Sequence, residues 1–65
     1  MFKIVDRRYA IDGRKLQLAR EEKGLNMSEF AYICGWTAGY QWQIENGEHY
    51  TVSESTKNVI ESALK

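Results

Sequence analysis

The chain has 65 residues, 43% of them apolar, with nine Lys or Arg against nine Asp or Glu and a net charge of zero. That length fits one domain with a small core, and domains of about 60 residues bury only ~60% of the surface of the unfolded chain, so a partner covering more of it adds stability. A single cysteine and a single histidine exclude an internal disulfide and a clustered metal site, and neither a membrane span nor a signal peptide is present in the pattern; the expectation is a cytoplasmic protein with no membrane association, cofactor or small-molecule substrate.

Residues 1–11, MFKIVDRRYAI, have strand character rather than helical periodicity. A reversal at Asp6-Arg7 sets Ile4 opposite Tyr9 and Phe2 opposite Ile11, with both apolar pairs on one face of a hairpin. The turn contains neither Gly nor Asn, so an extended arm is the other reading. A lone two-stranded ribbon is barely stable in water, and this one must either pack on its own helices or pair with a strand of another chain.

Residues 12–23 read as the first helix, capped by Asp12, running from Gly13 to Lys23 and stopped by Gly24. Leu16, Ala19 and the stem of Lys23 form its inner stripe, and Arg20 shares that face. Asn26 with Glu29 makes a capping-box start for the second helix, residues 27–34. Its stripe is Met27, Phe30, Ala31 and Cys34, at i, i+3, i+4 and i+7, which makes Cys34 a small core residue. Gly35 closes it in the left-handed conformation. Thr37 caps the third helix, residues 38–45, before Asn46-Gly47 stops it. After a loop from Glu48 to Val52, Ser53 caps a fourth helix over residues 53–64, with Val59, Ile60, Ala63 and Leu64 on its apolar side. The predicted fold is therefore all-α: a single domain, a bundle of about four helices around a central helix-turn-helix, plus a short N-terminal β-hairpin or extended arm.

The joint spacing of Leu16, Ala19, Arg20, Glu22-Lys23-Gly24-Leu25, Phe30-Ala31, Gly35 and Ile44-Glu45-Asn46-Gly47, followed by Ser53, Ile60, Ala63 and Leu64, resembles the phage-repressor and Cro-like (Xre-type) helix-turn-helix family. The resemblance implies a sequence-specific DNA-binding transcriptional regulator of phage or prokaryotic type, with double-stranded DNA as partner and a homodimer as a further option. Carried over by position, Ser28, Thr37, Ala38, Gly39, Tyr40, Trp42 and Gln43 face DNA. Gln43 is suited to base edges, Ala38 to a thymine methyl, and Tyr40 and Ser28 to phosphates, while Gly39 offers only backbone. Arg14 and Lys15 serve phosphates without sequence preference. Arg20 and Glu45 are expected to form a buried ion pair that is structural rather than catalytic, the alternative being Arg20 on a phosphate.

Several residues depart from the family pattern. Met27 stands where relatives often carry a glutamine that bonds phosphate. Gln41 replaces a buried aliphatic residue, so either the third helix is rotated or the amide has an internal partner. Trp42 lies where solvent or DNA would be, and the chain ends where many relatives add a further helix.

Charge points the same way. Residues 1–24 hold seven Lys or Arg against four Asp or Glu, whereas residues 25–65 hold two against five. Between Trp36 and Tyr50 there is no Lys or Arg, only Glu45 and Glu48. Phosphate contacts normally supply much of a DNA-binding protein's affinity, so a second function stays open: a helix-turn-helix module for protein interaction, an antirepressor or repressor partner, docking through Tyr40 and Trp42. Leu18, Tyr32 and Ile33 add to the apolar groups at nominally exposed positions. An enzyme is not expected, since His49, beside Glu48 in a loop, has no nucleophile and orienting group with which to form a catalytic set.

Overall fold

The computed structural model describes residues 1–47 and 50–65; Glu48 and His49, which the sequence places in a loop, lie outside the described residues. Asp6 and Arg7 both take positive φ, 46° and 69°, the type I′ geometry whose twist matches that of the strands it joins. Strand β1 (Phe2–Val5) and strand β2 (Arg8–Ile11) consequently pair with Phe2 opposite Ile11 and Ile4 opposite Tyr9.

The hairpin is not the whole sheet. A third strand, β3 (Thr51–Val52), pairs antiparallel with β2, placing Val52 opposite Tyr9 and Thr51 opposite Ala10 in the order β1-β2-β3. The all-α expectation is thus corrected to a mixed fold of four helices and a three-stranded antiparallel sheet. The physical reason is that β2 would otherwise leave its second edge unpaired, and residues just past the third helix supply it. Arg8 fastens this junction, donating from Nε to Thr51 Oγ1 and from Nη2 to Thr51 O, each at 2.9 Å. Val52 is buried at 1% exposure, which ties the sheet to the core instead of leaving it as an appendage.

The helices are α1 (Gly13–Glu22), α2 (Met27–Cys34), α3 (Ala38–Asn46) and α4 (Glu54–Ala63). Each start is capped by a side chain accepting from the backbone three residues on: Asp12, Asn26, Thr37 and Ser53. At Asn26 the capping box is complete, Glu29 returning a bond to the Asn26 amide at 2.9 Å. Such caps contribute on the order of 1 kcal/mol each, which matters in helices of only eight to ten residues. Gly35 adopts φ 86° and ends α2.

One fully buried apolar residue from each helix, Leu16, Phe30, Ile44 and Ile60, forms the centre of the core. Burying side chains of this size contributes roughly 1.5–3 kcal/mol each. Phe2, Ile11, Leu25, Cys34, Trp36, Tyr40 and Tyr50 close around them, so the hairpin packs on its own domain through Phe2 and Ile11. Lys23 does not join the stripe of α1: it is exposed, and its Nζ donates to the Lys65 carbonyl at 2.6 Å. Val59, on the apolar side of α4, is only partly covered, at 37% exposure.

Helices α1 and α3 approach unusually closely at Gly13. A Cβ there would overlap the carbonyl oxygen and carbon of Glu45, so glycine at this position is dictated by space. The first turn of α1 therefore abuts the last turn of α3. Among the described residues no helix is long and apolar enough to cross a membrane.

Candidate nucleic-acid interface

The orientation of α3 is set by three buried residues on its inner side, Gln41, Ile44 and Glu45. Ile44 enters the core, and the other two are polar. Arg20 reaches Glu45 from α1 with both ends of its fork, Nε to Oε2 at 2.8 Å and Nη2 to Oε1 at 3.0 Å, while Nη1 donates to the Leu25 carbonyl at 2.8 Å. Burial opposes the charge on Arg20, but the bond to Glu45 outweighs it and raises the guanidinium's pKa above its ordinary value. Gln41 is satisfied on both sides: its Oε1 accepts from the Trp36 indole at 2.8 Å and its Nε2 donates to Glu45 Oε2 at 2.7 Å. The helix is not rotated to expose the amide; Gln41 is 0% exposed. Among the described residues every buried side-chain nitrogen and oxygen has a partner.

With that side fixed, the 100° step of a helix puts Ala38, Gly39, Trp42, Gln43 and Asn46 on one outer stripe. All five are exposed. A Cβ at Gly39 would meet only the Thr37 side chain, at an ordinary contact distance of 3.9 Å, so the backbone of the first turn of α3 is approachable. Asn46, which the sequence marks as part of the Asn-Gly helix stop and of the family spacing but not as a DNA-facing residue, extends the stripe by a turn, and its Nδ2 donates to the Trp42 carbonyl at 3.0 Å. The signal that could have found it is the i, i+4 step from Trp42.

Thr37 and Ser28 are exposed at the starts of α3 and α2, where backbone N–H groups and helix dipoles favour anions. The Thr37 oxygen accepts from the Tyr40 amide at 3.1 Å. Tyr40 departs from the stripe. It is half-buried, its ring edge-to-face with Trp36 at 5.3 Å and with Tyr50 at 6.3 Å, so as a docking group for a protein partner it offers far less than Trp42, which is 56% exposed. Burial, with Tyr40 beside it, raises the pKa of the Tyr50 hydroxyl.

Arg14 and Lys15 are exposed on the first turn of α1, the turn that Gly13 seats against α3. The stretch from Trp36 to Tyr50 has no cation of its own, but Arg8, held on Thr51, carries one to the segment that follows α3. No family model, curated protein or solved structure matches this chain. The functional reading therefore rests on the site itself. Among the described residues there is no group of three or more His, Cys, Asp or Glu able to hold a metal ion.

Proposed function

We propose that this protein is a sequence-specific DNA-binding regulator of the phage-repressor and Cro-like (Xre) type, acting in the cytoplasm on double-stranded DNA without catalysing a reaction. The observation that carries the reading is the outer stripe of α3, exposed along its length on a helix whose other side is locked by Arg20, Gln41 and Glu45. A helix held this firmly and bare on one side is what major-groove entry requires. Gln43 and Asn46 supply the amides that pair with adenine edges, Ala38 and Trp42 the apolar contacts, and Ser28 and Thr37 the phosphate donors.

A second reading is favoured by one specific observation, the exposed Trp42 on a helix without Lys or Arg. In it the same face docks a protein, as in an antirepressor or a repressor partner. Duplex selection at low salt separates the two. DNA binding is supported if selection enriches a sequence, if Trp42→Ala and Gln43→Ala weaken that duplex more than random DNA, and if Arg14→Ala weakens both alike. Selection that enriches nothing, together with loss of a protein partner on Trp42→Ala, replaces it with the protein-binding reading.

A further inference from the structure

Helix α3 ends without a cation of its own, since no Lys or Arg stands between Trp36 and Tyr50. A helix lying in the major groove has a phosphate backbone on either side, so the elements packed beside α3 decide what meets those charges. The sheet is such a neighbour. Tyr50 crowds Gly47 at the C-terminal end of α3, where an added Cβ would lie 3.1 Å from the tyrosine ring, and the same ring meets Tyr40 of α3 edge-to-face at 6.3 Å. The next residue, Thr51, holds Arg8 of β2. Burial and Tyr40 raise the pKa of the Tyr50 hydroxyl and the charge of Arg8 lowers it, which places that charge within reach of the α3 end.

Arg8 is held in a way that leaves a binding group over. Its guanidinium offers five donors in a planar fork. Nε and Nη2, along one side of the fork, are engaged by Thr51 Oγ1 and Thr51 O, each at 2.9 Å. The end of the fork, Nη1 with the second N–H of Nη2, is left for a bidentate bond, the geometry in which arginine pairs with phosphate. The side chain is exposed, yet its conformation is set in advance, so it loses less rotamer freedom on binding than an unrestrained arginine. Strand alternation puts Lys3, Val5, Arg8, Ala10 and Thr51 on the face of the sheet turned away from the helices. Two of these five side chains are cations and none is a carboxylate, which suits an anionic surface.

We propose, on the DNA-binding reading of α3, that Arg8 is a phosphate anchor: with α3 in the major groove, the clamped guanidinium bonds the DNA backbone beside the C-terminal end of that helix. Arg8 is thus a positioning residue for α3. It touches phosphate and no base edge, so it fixes how the helix is seated without choosing the sequence. Thr51 serves the same end from the protein side, tying the anchor to the segment that leaves α3.

The test uses the full chain with the duplex that selection enriches and a random duplex beside it, and follows both dissociation constants from about 50 to about 200 mM salt. Each phosphate neutralised contributes about 0.9 to the slope of log affinity against log salt. Arg8→Gln should weaken both duplexes alike, roughly tenfold at low salt, and lower the slope by about one. Arg8→Lys keeps the charge but loses the fork, so the slope should stay while affinity falls to a smaller extent. Thr51→Val, which removes the Oγ1 acceptor and leaves the charge, should behave like Arg8→Lys. Circular dichroism and urea midpoints verify that each variant is folded. If Arg8 only fastens β2 to β3, the slope will not follow its charge, and affinity will track the urea midpoint or stay unchanged. Either result on a duplex that the wild type selects overturns the anchor and leaves the reading of α3 standing. A wild type that binds no duplex at low salt overturns that reading, and the anchor with it.

Discussion

The indole of Trp36 donates to Gln41 Oε1 at 2.8 Å, and that bond lets an amide occupy a fully buried place on α3. Gln41 hands the connection on to Glu45, so the turn before α3, the middle of α3 and Arg20 on α1 form one chain of bonds. Removing either end of the Trp36–Gln41 bond strands the other, at a cost of roughly 1–3 kcal/mol. Trp36→Phe and Gln41→Leu should each destabilise, whereas the double variant should be more stable than the sum of the two losses by about 1 kcal/mol. Urea unfolding of the four proteins measures this coupling, and strict additivity would show that the bond contributes nothing.

Arg20→Met should lower stability by roughly 3–5 kcal/mol, because it leaves Glu45 buried without its cation. Arg14→Met, on an exposed position, should stay within about 0.5 kcal/mol. The raised pKa of Arg20 means that its share of this stability is complete below the ordinary arginine range and is lost only at higher pH. The arginine end of the pair is therefore no pH switch. Chemical denaturation at neutral pH decides the point, and equal, small shifts for the two variants would exclude a structural role for the pair.

Burial pushes the Cys34 thiol up to about 11, from an ordinary value near 9. A raised acid is favoured in its neutral form by folding, so its contribution is complete below pH 9 and is lost as pH rises toward 11. Stability of the wild-type chain should fall across that window relative to a Cys34→Ala variant, the two being compared at each pH so that Tyr and Lys titrations cancel. Slow reaction with a thiol reagent at pH 8 is the companion observation.

Much of this arrangement is legible in the residues. Asn26 with Glu29, Thr37 and Ser53 mark helix starts by their own hydrogen-bonding chemistry, and the apolar pairing of Phe2 with Ile11 and of Ile4 with Tyr9 fixes a register in which a one-residue slip would turn every side chain over. What is not legible lacks a period. Thr51-Val52 is too short to alternate, so its strand emerges only once β2 has an open edge. Trp36 lies five residues before Gln41, a spacing no single helix face produces, and the partner of the buried amide could not be named in advance. Gly13 reads like any helix start, since its reason is the Glu45 carbonyl on another helix. Asn46 was hidden by its neighbour: as half of an Asn-Gly stop it draws attention away from the stripe it completes.

The turn between β1 and β2 stores a correctable strain. Type I′ geometry needs positive φ at both central residues, and here they are Asp6 and Arg7. Asp tolerates that conformation through its short polar side chain, but Arg, at φ 69°, carries the full clash between Cβ and backbone, of order 1 kcal/mol. Glycine has no Cβ, and Asp-Gly is among the preferred pairs for such turns. Arg7→Gly should therefore stabilise the protein by about 0.5–1 kcal/mol, the relief being partly offset by the greater freedom glycine gives the unfolded chain. Because Arg7 is exposed, lost packing does not obscure the effect. The measurement is the urea midpoint of Arg7→Gly beside Arg7→Ala, which keeps the Cβ and should gain nothing. If both variants match the wild type, the turn is not strained, and the register it imposes on the hairpin must be set by the strand pairs alone.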